Sequence, residues 1–167
     1  MTPQIRPLTE TDYAALRDIR LEALRRHPEA FCADLAVEEA MPKEAWLSRL
    51  ASAVTFGGFD GDELEAMAVY ARPSSEKLSH IGNLAAMYVR EAARGKGFGD
   101  GLVRAVVERA SSEVEQIKLT VNADNAHAVR LYERHGFRTA GRIARSIHVG
   151  QLYFDELIML RTVSPSD

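Results

Sequence analysis

The chain has one cysteine, Cys32, in 167 residues, which excludes an intramolecular disulfide and a cysteine-rich metal site. It has no apolar run near the roughly 18 residues that a membrane span needs. Its opening, Met1 to Asp12, lacks the apolar stretch of a secretory signal, so a cytoplasmic protein is expected. It has no internal repeat, no low-complexity tract and no linker-like stretch apart from the tail Ser164-Pro165-Ser166-Asp167; residues 1–163 therefore predict one domain. Neither sign of charge dominates: 21 Lys and Arg face 24 Asp and Glu, a net −3, far from the basic balance of a nucleic-acid binder. What is present is ordinary for a soluble globular protein, 46% hydrophobic and 27% charged. The length is enough to bury about two-thirds of the surface the unfolded chain exposes.

Charge is unevenly spread along the chain. Residues 1–83 carry nine cationic and fourteen anionic side chains, residues 84–167 twelve and ten. The second half can face an anionic ligand and the first a cation. Glu29, Asp34, Glu38 and Glu39 make residues 28–41 acidic, a surface suited to a cationic amine or simply to solvent. Cys32 has no nucleophilic motif around it and reads as a small buried residue, while Phe31 and Trp46 read as core anchors.

Periodicity sets out a mixed α/β order. Ile5–Leu8 is a short strand, and Thr9 with Asp12 marks a helix start before Tyr13, Leu16, Ile19 and Leu24. His27-Pro28 stops that helix near Arg26, residues 28–42 are ambiguous, and Pro42 opens a second helix. Strands at 53–59 and 64–72 flank the turn Asp60-Gly61-Asp62-Glu63, and a third strand spans 78–89. Helical spacing returns at 97–110 and 126–135, separated by a strand at 117–121 and followed by strands near 138–147 and 153–160. Antiparallel strands followed by alternating strands and helices predict one mixed sheet.

The chemistry concentrates where the strand ending at Val89 runs through Arg94-Gly95-Lys96-Gly97-Phe98-Gly99-Asp100-Gly101 into a helix. Glycines let the backbone approach a ligand and converge its N–H groups, and a helix N-terminus adds about half a unit of positive charge. Arg94 and Lys96 add full charges, so the junction is suited to phosphate. It is not a P-loop, because Gly97 rather than Ser or Thr follows Lys96, nor a dinucleotide fingerprint, whose third glycine falls at Asp100 or Leu102.

The pattern Arg-x-x-Gly-x-Gly at Arg94, Gly97 and Gly99 after a long strand resembles the acyl-CoA pyrophosphate motif of the GNAT family of N-acetyltransferases. Asn125 to Phe137 resembles the same family's Asn-x-x-Ala-x-x-Leu-Tyr-x-x-x-Gly-Phe signature at each fixed position, as do Ile5–Leu8, Pro28–Phe31 and Tyr153–Met159 more loosely. The resemblance implies a GNAT acyltransferase fold: about seven mostly antiparallel strands, about four helices, and strands four and five parallel and splayed. It implies acetyl-CoA as co-substrate, an amine acceptor and no metal. Main chain at Met87, Tyr88 and Val89 would meet the pantetheine arm. The pyrophosphate would lie on Arg94, Gly95, Lys96, Gly97, Phe98, Gly99 and Asp100. Asn125 would contact the arm near its reacting end, and Tyr132 would protonate the leaving thiolate.

Positions 125, 129 and 132 share a helix face, which is compatible with a common groove. Many relatives that acetylate peptide N-termini carry a glutamate five residues before the signature asparagine, but that position here is Thr120. His80, Glu63, Glu65, Asp124, His148, Glu156 or a water chain remain as proton acceptors. A small amine is the first expectation for the substrate. A protein lysine, a peptide N-terminus and a non-catalytic CoA sensor are the alternatives, with no nucleic acid or membrane partner and a monomer or homodimer.

Overall fold

The computed structural model describes residues 3–163, so the expected tail at 164–167 lies outside the described residues. Seven strands form one sheet: β1 (Gln4–Pro7), β2 (Val54–Asp60), β3 (Glu63–Ala71), β4 (Ile81–Val89), β5 (Gln116–Asn122), β6 (Arg138–Val149) and β7 (Leu152–Thr162), in the order β1-β2-β3-β4-β5-β7-β6. Every neighbouring pair is antiparallel except β4 and β5, which run parallel. That pair stays in register only through Ile81–Gln116, Gly82–Ile117 and Asn83–Lys118. Beyond Asn83 the two strands part, leaving a wedge at their C-terminal ends.

Five α-helices lie among the described residues, in keeping with the expected about four: α1 (Tyr13–Arg26), α2 (Leu35–Glu39), α3 (Lys43–Ser52), α4 (Phe98–Ser111) and α5 (Ala126–Arg134). The ambiguous stretch at 28–42 folds as a 3-10 turn at Pro28–Ala30 followed by the short α2. No described helix is long and apolar enough to cross a membrane. The third predicted strand starts at Ile81 rather than Leu78, because Glu76–Leu78 closes a 3-10 turn.

Two cores flank the sheet. On one face α4 buries Phe98, Leu102, Val103, Val106 and Ala110 against Ala66, Ala68, Leu84, Ile117 and Leu119. Each buried Val, Leu, Ile or Phe side chain among these stabilises the fold by about 1.5–3 kcal/mol relative to exposure. On the other face α1 and α3 pack Leu16, Ile19 and Trp46 against Leu64, Met67 and Tyr88. None of this second core comes from β5, β6 or β7, and Lys118 and Thr120 of β5 are exposed there. The sheet is thus covered on both faces at one end and left partly open on one face at the other.

Two expectations for the acidic segment give way to ion pairing. Glu38 is buried, with both carboxylate oxygens bonded by Arg20 at 3.0 Å and a further bond from Arg49 at 3.0 Å. Burial alone would raise its pKa, but the two guanidiniums more than offset that and hold it below the usual carboxylate value. Glu39 pairs with Arg25 at 3.2 Å. These carboxylates tie α2 to α1 and α3, and are not free to trap an amine. Cys32, expected inside, is exposed in the loop before α2. Trp46 is a core anchor as expected, whereas Phe31 is half-buried with the Arg20 guanidinium over its ring at 5.0 Å.

Candidate active site

The wedge between β4 and β5 begins at a bulge. Tyr88 pairs with Met67 and Ala85 with Val69, so Ala86 and Met87 have no partner in register on β3. Ala86 takes φ +52, a left-handed conformation uncommon for a residue with a side chain. β5 has already diverged at this level, so the main chain of β4 here faces the wedge. Met87 and Val89 are half-buried against the α4-side core. The Tyr88 side chain points the other way: it is buried under α1, where its hydroxyl donates to Glu22 at 2.9 Å. Burial, and then the Glu22 carboxylate, push the phenol up to about 12. Only the Tyr88 main chain is left for a ligand in the wedge.

The glycine loop divides into two kinds of glycine. Gly95 and Gly97 have φ +75 and +89, and a Cβ on Gly95 would meet nothing within 4 Å; they make an open turn that other residues would strain. Gly99 and Gly101 serve packing, since added Cβ atoms would lie 3.1 Å from Leu131 and 2.9 Å from Ile5. Gly97 is the N-cap of α4, and no side chain among the described residues caps that end. Four N–H groups at the start of a helix have no intrahelical partner, which here leaves a cluster of donors facing the loop. Phe98 is part of the core. Arg94 and Lys96 are exposed; Arg94 donates to the Val89 carbonyl at 3.3 Å and lies 3.2 Å from His27 Nε2.

Asp100, in the first turn of α4, contacts His135 at 2.9 Å and Arg134 at 3.2 Å. Burial works to raise its pKa, yet the bonds from His135 and Arg134 hold it below the ordinary value. Its negative charge is therefore offset close to the helix start.

α5 follows β5 across the wedge. Asn125 caps it, with Oδ1 accepting from Ala128 N at 3.1 Å, which leaves the Nδ2 group available. Seven residues on, Tyr132 is buried, edge-on to Phe137 with ring centroids 5.9 Å apart. Its hydroxyl bonds no other described residue, and burial alone raises its pKa above the usual phenol value. Tyr132 stays protonated through the physiological range. It is reached by one helix, while the glycine loop is reached by another, and the wedge separates them.

The proton-acceptor candidates scatter. His80 lies at the far end of the sheet, where its carbonyl accepts from Glu115 and Gln116 as β4 and β5 come together. Glu63 opens β3 beside the tight turn from β2, and His148 stacks on Tyr153 with ring centroids 4.3 Å apart. Glu65 lines a hollow with Glu22, Arg26 and Arg90 on the β3 side of β4, away from β5. Asp124 is exposed in the β5–α5 turn. Glu156, on β7 opposite Asn122, is on the open face. Sequence reasoning passed over Asn122 itself: it donates to the Glu29 carbonyl at 3.4 Å and accepts from Asp124 N at 2.8 Å, joining β5 to the turn at Pro28–Ala30. Its place two residues before an Asp-Asn helix start was the available signal.

A parallel pair that splays, a strand bulge opening into the gap and a glycine-lined helix N-terminus form an α/β fold with a cleft suited to an extended, phosphate-bearing ligand. Comparison with known proteins agrees. A model described as the Acetyltransferase (GNAT) family matches residues 13–137. The L-amino acid N-acetyltransferase AaaT of Escherichia coli (strain K12) is 27% identical over 143 residues, 82% of this chain and 83% of that protein. In fold, the acetyltransferase of GNAT family from Streptococcus pneumoniae superposes with a TM-score of 0.85 at 20% identity, covering 97% of this chain and 99% of that one. The structure of yncA from Salmonella typhimurium with its cofactor acetyl-CoA superposes at 0.82 and 16% identity over 100% and 96%. The chain belongs to the GNAT family and is an acetyl-CoA-dependent N-acetyltransferase.

Proposed function

We propose that the chain transfers the acetyl group of acetyl-CoA directly to the primary amine of a small molecule, an amino acid first among the candidates. The observation that carries this reading is the turn at Pro28–Ala30, which packs on β5 and β6 and is bonded to Asn122. A polypeptide laid across the open face would have to pass through that contact, whereas a small amine need only enter beside it. The likeness to an L-amino acid N-acetyltransferase over most of both chains supports the same class.

In this reading the main chain at Met87 and Val89 bonds the pantetheine arm. The N–H groups from Gly95 to Asp100 hold the pyrophosphate, with Arg94 and Lys96 adding charge. The bulge at Ala86–Met87 offers main-chain N–H to the thioester oxygen as it gains charge. Asn125 Nδ2 contacts the arm, and Tyr132 serves the sulfur. A phenolate raised by burial is a far stronger base than a thiolate of pKa about 8.5, so full proton transfer to sulfur runs uphill by itself. Tyr132 therefore donates a hydrogen bond to the departing sulfur, and the transfer completes as the new amide nitrogen loses its proton.

The test is calorimetric titration with acetyl-CoA, followed by thiol release over amino acids, polyamines and N-terminal peptides. Release with a small-amine class and not with peptides is expected. Release with peptides alone would overturn the substrate class, and binding without any release would favour a sensor.

A further inference from the structure

We infer that Glu156 is the acceptor-side catalytic residue: its carboxylate receives the substrate ammonium on the open face of the sheet and takes its proton. This assignment rests on the direct-transfer reading above. Side chains alternate along a strand, so Lys118, Thr120 and Asn122 of β5 share the open face with their β7 partners Leu160, Ile158 and Glu156. β4 contributes Asn83 and Ala85 to the same face, half-buried and exposed. Glu156 is the one carboxylate on these three strands that this face presents among the described residues. It lies at the C-terminal end of β5, where the wedge opens, diagonal to Thr120 at a spacing of about 7–8 Å.

A second bulge orients it. On β6, Ile143 pairs with Glu156 and Ile147 with Phe154, so Ala144, Arg145 and Ser146 together oppose Asp155. Arg145 takes φ +52, and its N–H bonds Asp155 Oδ1 at 2.8 Å, while Arg142 bonds the other Asp155 oxygen at 2.8 Å. This twist lets the Ser146 hydroxyl donate to Glu156 Oε2. The Asp155 carbonyl in turn accepts from Ala123 N at 2.9 Å, tying the bulge to the turn that leads into α5 and Tyr132.

Other charges near the face are engaged elsewhere: Arg142 with Asp155, Arg145 over the Tyr153 ring, and Glu29 with His27. Lys118 is on the same face but further along β5. Glu156 has no ion-pair partner among the described residues, and Ser146 occupies one of its oxygens only. An unpaired, oriented carboxylate at this point is complementary to an incoming ammonium.

The proton balance closes. The ammonium gives one proton to Glu156, and the freed lone pair forms the C–N bond at the thioester carbon. The C–S bond then breaks, sulfur takes the Tyr132 proton, and the nitrogen's second proton restores the phenol. Glu156 finally releases its proton to water, leaving an amide and the CoA thiol.

Glu156→Gln tests this in the full chain, with an amine that the wild type turns over. We expect kcat/KM near pH 7 to fall by about 100-fold, with the acetyl-CoA Kd within about twofold by calorimetry. The deficit should narrow to under about 10-fold near pH 10, where more of the amine is already neutral, and Glu156→Asp should fall between the two. A melting temperature near wild type and intact acetyl-CoA binding establish that the variants fold. Retention of kcat/KM within about threefold near pH 7 overturns the assignment, and a deficit equal at both pH values overturns the proton role. A wild type that releases no thiol with any amine sinks the proposed function itself, a separate and recognisable failure.

Discussion

α4 and α5 both begin at the wedge, yet their first turns are built for opposite purposes. α5 uses its leading donors internally, through the Asn125 cap on Ala128 N. α4 has a glycine in left-handed conformation at the same position and no side-chain cap among the described residues. A capped start contributes stability; an uncapped one costs some but keeps donors and dipole for an anion. The one acidic group in the first turn of α4, Asp100, is paired with Arg134 and His135 at the far end of α5. The charge that would repel a phosphate thus becomes a tie between the two helices.

Exchanging these properties should break the comparison, with the largest effect at α4. Gly97→Val places a β-branched residue at φ +89, a strain of about 1–3 kcal/mol, and blocks backbone approach. Acetyl-CoA Kd measured by calorimetry should rise by at least about 100-fold, corresponding to roughly 2.7 kcal/mol, while circular dichroism still reports a folded chain. The counterpart Asn125→Ala should do the reverse, lowering stability by about 1 kcal/mol in denaturant melts with only a few-fold change in affinity. Equal losses of affinity from the two changes would mean that the helix starts are not distinguished by their caps.

Next in size, Tyr132→Phe should reduce kcat by about 100-fold and leave acetyl-CoA affinity within a few-fold, because the hydroxyl bonds no other described residue. An unchanged kcat across the pH range removes Tyr132 from the chemistry.

The smallest effect sharpens the contrast from a third helix start. Ahead of α1, Asp12 accepts from Thr9 N at 2.7 Å and from both Arg6 terminal nitrogens at 2.8 and 2.9 Å. The Arg6 bonds, joined by that N–H, hold the carboxyl at about 2, below an unfolded value of about 3.9. A depressed carboxylate stabilises the fold fully above the unfolded value, and that contribution is lost as pH falls through about 4 towards about 2. Asp12→Asn should flatten the melting temperature across that window and leave its slope above pH 7 unchanged; an unaltered acid limb would dismiss the Arg6–Asp12 pair as a source of acid sensitivity.

The parts legible in the sequence are those whose physics is local. A glycine run between a strand and a helix fixes the turn and its exposed donors within a few consecutive residues, and the stretch from Asn125 to Phe137 carries its own cap, period and stop. The direction of the Tyr88 side chain was not legible, because the Ala86–Met87 bulge changes the alternation of β4 only in the context of β3. Nor was the fate of the acidic segment: Glu38 looks like a solvated carboxylate until Arg20 and Arg49 converge on it from two other helices.

By itself the sequence determined the order of elements, the mixed α/β class and a phosphate-suited turn at Arg94–Gly101, since hydrophobic period and glycine spacing act over short chain distances, while its resemblance to the GNAT family implied the splayed strands and acetyl-CoA as co-substrate. Only tertiary structure decided which acidic groups are already paired, how Asn122 meets the turn at Pro28–Ala30, and that Glu156 and Ser146 face the open end of β5. Those arrangements depend on strand register and on two bulges, and a shift of one residue in a strand sends every side chain to the opposite face.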